Sequence, residues 1–160
     1  MEPHKKKYST VKTFSKLICI PITTNFRNPV NVTDKIKEVI EQSGFRRGVV
    51  FVSTYHSTTG LLVQEDEPGL MSDFLGFLNR LFPRKNYYRH DDFRIRTVDR
   101  EPNERKNGWA HLKASLLHDT VKRPFNRSAL GLGTWQSILF FDFDHHGRKK
   151  RKIEIICIGE

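Results

Sequence analysis

The stretch from Asn107 to Gln136, NGWAHLKASLLHDTVKRPFNRSALGLGTWQ, decides how this chain is read. It opens on His111, Lys113 and Ser115 at alternate positions and closes on Gly133-Thr134-Trp135-Gln136. Were the first part extended, those three polar side chains would share one face of a strand. Leu112 and Leu116 stand four apart, however, which predicts a short helix begun at Asn107-Gly108 and carrying Leu112, Leu116 and Leu117. On a helix the three polar groups fan over more than half a turn, and His111 and Ser115 lie nearest each other. Beyond it, Thr120–Phe125 reads as a strand and Asn126-Arg127 as a turn. Leu130–Asp144 reads as one long strand running through the Gly-Thr-Trp-Gln knot.

Upstream, residues 13–22 and 48–55 are apolar, β-branched runs and read as strands, with a shorter one from Leu61 to Glu65. Two amphipathic helices are predicted between them and the central stretch. The first carries Val32, Ile36, Val39 and Ile40, with Asn31 or Thr33 as N-cap and Gly44 as its stop. The second opens at Pro68, carries Leu70, Met71, Phe74, Leu75, Leu78, Leu81 and Phe82, and ends before Pro83. Residues 84–107 are polar and without period, the mark of a functional or disordered segment. Downstream, Asp144–Lys152 reads as a charged hairpin and Ile153–Gly159 as the closing strand. Helices early and strands late predict an α+β fold: a single domain, residues 13–160, with a mixed, mostly antiparallel β-sheet and two to three helices packed on it. Residues 1–12 form a basic, flexible N-terminal extension without the apolar core of a signal peptide.

A chain of 160 residues fits one domain and buries enough surface to fold without a metal or disulfide. It has no apolar run long enough to cross a membrane as a helix. Cys19 and Cys157 each lie in a strand-like run and read as buried thiols, which fits a reducing cytoplasm. The net charge of +10 points to anionic partners, phosphates or nucleic acid, or to nothing beyond solubility. The densest basic run, Arg148–Lys152, has no interleaved aromatic side chains for base stacking and reads as a solvated hairpin tip, so nucleic acid is not the favoured partner.

The candidate chemistry lies in the histidines. His56 ends a strand and enters a Ser-Thr-Thr-Gly turn, His90 sits in the irregular segment beside Asp91 and Asp92, and His111 opens the short helix. Each alone reads as a satisfied structural histidine, and no pair has the spacing of a helical metal motif. Three histidines from separate segments can nevertheless hold one zinc and leave a position open. Lys113 is a candidate for phosphate capture at the helix start, against the plain reading of a solvated lysine. Glu65 and Asp73 are weighed as carboxylates that orient a histidine, against an acidic helix start.

Taken together, these residues resemble the YjbQ-like family, also called the secondary thiamine-phosphate synthase family. The resemblance rests on His56-Ser57-Thr58-Thr59, Glu65, Asp73, Tyr88-x-His90-Asp91, His111-x-Lys113-x-Ser115-Leu116-Leu117, Leu132-Gly133-Thr134-Trp135-Gln136 and the final Gly159-Glu160. It implies a single α+β domain packing as a homotrimer, with a pocket built from His56, His90, His111 and Gln136. It further implies a bound divalent metal (zinc or magnesium) or an anion. The reaction it implies is condensation of a phosphorylated thiazole with a pyrimidine pyrophosphate. In that reading His56, His90 and His111 hold the metal, Lys113 takes a phosphate, and Ser115 and Gln136 hydrogen-bond the ligand or the histidines. Metal-assisted phosphate-ester hydrolysis and a basic nucleic-acid-binding module are the rival readings. Gln64-Glu65-Asp66 departs from the family's usual Asn-Glu-Asn, and Arg94–Lys106 is longer and more charged than the pattern, which points to an altered rim.

Overall fold

Strand alternation and helical spacing become eight strands and three α-helices among the residues that the computed structural model describes, 10–21, 29–127, 129–144 and 150–160. In chain order these are β1 (Lys12–Pro21), β2 (Val30–Asn31), α1 (Thr33–Ser43), β3 (Arg47–Thr54), β4 (Thr59–Glu65) and α2 (Pro68–Leu81). A 3-10 turn (Arg89–Asp91) precedes α3 (Gly108–Ala114), β5 (Thr120–Asn126), β6 (Ala129–Leu130), β7 (Gln136–Asp142) and β8 (Lys150–Gly159). The strands form two sheets, ordered β1-β8-β3-β5-β6 and β2-β7-β4. Every described pairing is antiparallel. The α+β expectation holds, with the strands shared between two sheets.

The three-stranded sheet lies between two apolar clusters because alternate residues of β7 point to opposite faces. Ile138 and Phe140 join Val50, Val52, Ile153 and Ile155 of the larger sheet and Ile36, Val39 and Ile40 of α1. Leu139 and Phe141 join Met71 and Leu78 of α2 and Trp109, Ala110 and Ala114 of α3. Local chemistry fixes the helix ends. Gly44 stops α1 in the left-handed region, φ +69°, where a side chain would cost strain. Glu67 caps α2 by accepting from the Gly69 and Leu70 amides at 2.7 and 2.6 Å, and those bonds lower its carboxyl pKa. On its outer side the larger sheet carries Ile156, Ile158, Val49 and Phe51, which belong to neither cluster, so its central rows are apolar and bare.

Four expectations are corrected. The long strand through Gly133-Thr134-Trp135 is broken: Leu130 belongs to the larger sheet and Gln136 starts β7 in the smaller one. A turn separates them, closed by the Gly133 amide donating to Gln136 Oε1 at 3.0 Å. The short helix is real, yet Leu112 and Leu116 face outward, and Trp109, Ala110, Lys113 and Ala114 form its buried side. Cys19 is exposed, while Cys157 is buried as expected, and both thiols are free. Arg151, read as part of a solvated tip, is buried at 2 % exposure. Residues 1–9 of the basic extension, most of the loop before β2, and His145-His146 with Arg148-Lys149 of the charged hairpin lie outside the described residues.

Candidate functional site

His56 is placed by the end of β3 and the tight turn into β4. The buried hydroxyls of Thr54 and Thr59 bond at 2.6 Å, and the His56 carbonyl accepts from the Thr59 amide at 3.0 Å and its hydroxyl at 2.8 Å. His111 is placed by the first turns of α3, whose start is fixed by Asp91: Asp91 Oδ1 accepts from the amides of Asn107 and Gly108, each at 2.9 Å. The same oxygen lies 3.1 Å from His90 Nδ1. One carboxylate thus anchors the helix and orients the second histidine. The contact holds the His90 ring by its Nδ1 edge, and Arg96 Nη1 lies 3.4 Å from the same nitrogen.

The three histidines line one cavity of about 560 Å3. The rings of His90 and His111 lie 4.5 Å apart, tilted by 40°. Burial lowers the His111 pKa, and the neighbouring His90 and Arg96 act in the same direction against the opposing pull of Asp144 and Glu104. His111 is therefore a neutral imidazole at pH 7, able to take a proton or donate a lone pair. Among the described residues, no group of three or more His, Cys, Asp or Glu side chains is drawn together as a ready metal cage.

The other expected site residues fall elsewhere. Lys113 is buried at 4 % exposure and points to α2, where its ammonium bonds Asn79 Oδ1 and lies 4.7 Å from the Trp109 ring centre. Desolvation lowers its pKa. It does not line the histidine cavity. Ser115 lines a smaller neighbouring cavity that also reaches His56, but its hydroxyl donates to the His111 carbonyl at 2.9 Å. Gln136 closes the Gly133 turn and pairs with Glu65 across the ladder, away from the histidines. Neither Glu65 nor Asp73 lines the cavity.

In their place the fold brings in residues to which the sequence reading gave no part in the site. Arg151 Nε and Nη2 donate to Asp142 at 2.7 and 2.8 Å, and Nη2 also reaches Thr58 Oγ1 at 3.2 Å and the Asp144 carbonyl at 3.0 Å. Asp144 in turn accepts from Asn107 Nδ2 at 3.1 Å and faces Arg105 at 3.7 Å. The signal was Phe140-Phe141-Asp142-Phe143-Asp144: two acids inside an apolar strand demand a buried cation, and the basic run downstream supplies it. Arg96 closes the rim by bonding Glu104 at 2.8 Å and the carbonyls of His90 and Asp99 at 3.3 and 2.5 Å. Burial works against charge on Glu104, but Arg96 and the Glu101 amide hold its carboxyl below the ordinary range.

This architecture recurs in known proteins. A YbjQ-like protein of unknown function from Sulfolobus solfataricus P2 superposes with a TM-score of 0.79 at 26% identity, over 94% of this chain and 100% of that one. A hypothetical protein from Aeropyrum pernix K1 gives 0.76 at 28% identity, over 92% and 99%. In sequence, a UPF0047 protein of Archaeoglobus fulgidus is 39% identical over 124 residues, 78% of this chain and 86% of its own length. One from Methanothermobacter thermautotrophicus is 31% identical over 142 residues, 88% and 90%. The family model of UPF0047 YjbQ-like proteins matches residues 19–160. With the fold and these matches in agreement, the chain belongs to the YjbQ-like UPF0047 family.

Proposed function

We propose that the three-histidine cavity is the active site of an enzyme acting on a small phosphorylated substrate with the help of a divalent metal. The observation that carries this is the convergence of His56, His90 and His111 from three separate segments, with His111 held neutral by burial. A neutral imidazole beside a carboxylate-backed one is the donor chemistry that zinc takes, and it suits zinc better than magnesium, which prefers oxygen ligands. The donor types fit, and all three histidines line the same cavity, although no ready cage is formed among the described residues. When bound, the metal would supply positive charge to a departing phosphate. The chain's own part is to orient His90 through Asp91, to keep His111 unprotonated, and to hold the rim through the Arg96–Glu104 and Arg105–Asp144 pairs.

The family resemblance names the reaction to test first. The thiazole nitrogen of a phosphorylated thiazole forms a bond to the methylene carbon of a pyrimidine pyrophosphate while the carbon–oxygen bond to pyrophosphate breaks, giving thiamine phosphate. Metal content of the purified protein and of the His56→Ala/His111→Ala variant comes first, followed by pyrophosphate release with and without added zinc. Near-stoichiometric metal lost in the variant, with release lost alongside it, supports the reading. No metal after reconstitution removes the ligand assignment. Metal-dependent turnover of p-nitrophenyl phosphate without pyrophosphate release moves the function to phosphate-ester hydrolysis. Nucleic-acid binding loses one of its cations, because Arg151 is committed to Asp142 inside the protein. The bare outer face of the larger sheet, with Phe51, Ile156 and Ile158 at its centre, supports assembly as the homotrimer the family resemblance implies. Two free thiols fit a cytoplasmic protein.

A further inference from the structure

A second cavity, of about 600 Å3, lies on the other side of the segment that carries His90. The 3-10 turn Arg89–Asp91 divides the two: His90 lines the first cavity, and Asp91 and Asp92 line the second. Both carboxylates are already spent. Asp92 receives the Arg94 fork at 2.9 and 2.8 Å and the Tyr87 hydroxyl at 3.0 Å, and these hold its carboxyl far below the usual range. Asp91 is occupied by His90 and the start of α3. The remaining charge of the wall is positive. Lys85 and Lys106 have no ion pair among the described residues, and Arg84 lies 5.6 Å from the Trp109 ring centre.

Aromatic surface stands beside this charge. Tyr87 is 67 % exposed, and its ring is tethered through the hydroxyl to Asp92. A solvated basic rim gains nothing from a large ring held fixed in water, whereas a stacking platform does, because the ordering cost is met before the ligand arrives. Phe93 lines the same cavity. The combination of ammonium groups and a preset aromatic face selects a ligand with a phosphate at one end and a planar heterocycle at the other. The volume lies within the range of small-molecule pockets. We propose that this cavity is a separate binding site for a nucleoside phosphate, with the phosphates on Lys85 and Lys106 and the base against Tyr87.

The test uses ADP as probe, by isothermal titration calorimetry in low salt. It is run on the full chain and on the His56→Ala/His111→Ala variant, so that binding at the histidine cavity is removed. ADP affinity is expected to be the same in both. Lys85→Glu/Lys106→Glu should weaken it at least tenfold, and Tyr87→Ala several-fold. Pyrophosphate should bind more weakly than ADP and be insensitive to Tyr87→Ala. Thermal melting confirms that each variant folds, and Lys85→Ala/Lys106→Ala serves if charge reversal does not. Three outcomes overturn the site: no ADP binding, ADP binding lost with His56 and His111, or equal ADP and pyrophosphate affinities unchanged by Tyr87→Ala. A single-stranded oligonucleotide binding far more tightly than ADP would make the cavity part of a strand-binding surface and overturn the mononucleotide assignment.

Discussion

Replacing Arg151 by methionine is the sharpest test of how the site is held. The guanidinium makes four bonds: two to Asp142, one to Thr58 and one to the Asp144 carbonyl. Its side chain is 2 % exposed and that of Asp142 is 0 % exposed. Methionine keeps much of the length and fills the space, so the main change is electrostatic. Asp142 is left buried and charged, with only the Asp144 amide, 3.0 Å away, as donor. Breaking a buried pair from one side costs roughly 3–5 kcal/mol. With a urea m-value of about 2 kcal/mol/M, the midpoint should fall by about 1.5–2.5 M. The double variant Arg151→Met/Asp142→Leu removes the orphaned charge and should recover all but about 1 kcal/mol, the remainder being the stranded Asp144 amide. Lys152→Met, an exposed neighbour, should stay within about 0.5 kcal/mol of the parent. Urea unfolding followed by circular dichroism measures all three. An Arg151→Met loss no larger than that of Lys152→Met would refute the buried pair.

Three more outcomes are expected. His111 has a folded pKa below its unfolded value, so it is neutral in both states above about pH 6.5. As pH falls below that, the unfolded chain binds its proton first, and stability is lost until the folded pKa is passed. The urea midpoint of the parent should therefore drop in acid more than that of His111→Gln; equal drops would show that burial does not perturb this imidazole. The parent should sediment as the trimer proposed above, and Ile156→Lys on the outer sheet face should leave the circular dichroism spectrum unchanged and give a monomer; a monomeric parent would refute the trimer, and a trimeric variant would place the interface elsewhere. Arg96→Gln removes the guanidinium that staples the rim to the His90 carbonyl and to Glu104. Trypsin should then cut within residues 94–106 at least several times faster at an unchanged melting temperature, and an unchanged cutting rate would show that the rim is held by other bonds.

Periodic elements were legible because their burial is one-sided. Val32, Ile36, Val39 and Ile40 mark the buried face of α1, and the alternation in β8 marks the inner face of the larger sheet. The short helix shows where that signal gives out. Leu112 and Leu116 have helical spacing, and so do Trp109, Ala110, Lys113 and Ala114, and only the second set packs on the smaller sheet. A rule that prices lysine as polar selects the wrong face, because the long stem is buried while the ammonium finds Asn79 and the Trp109 ring. The break between β6 and β7 was hidden for a similar reason: strand propensity does not say which sheet a strand joins. Gln136 was singled out for the right local oddity and given the wrong task, since its amide serves the Gly133 turn. The three histidines stand out in the sequence because each interrupts a pattern, one at a strand end, one in an aperiodic segment and one at a helix start, and the fold sets all three on one cavity.

Those three positions differ in how firmly they are held, and the difference bears on specificity. His56 stands on a turn sealed by buried threonine hydroxyls, and His111 on a helix packed against the smaller sheet. Both are fixed by the core. His90 belongs to the irregular segment between α2 and α3, whose internal bonds run mainly from Arg94 to Asp92 and from Arg96 to Glu104 and nearby carbonyls. Asp91, through the amides of Asn107 and Gly108, ties that segment to the helix that bears His111, and Arg84 over the Trp109 ring and Tyr88 against the second apolar cluster add to the hold. Substitutions between residues 84 and 106 can therefore reshape both cavities at little cost to the core, provided Tyr88 and Asp91 stay. The core thus fixes two of the three histidines directly, the third is held through one aspartate, and most of the charged loop around it is left open to change.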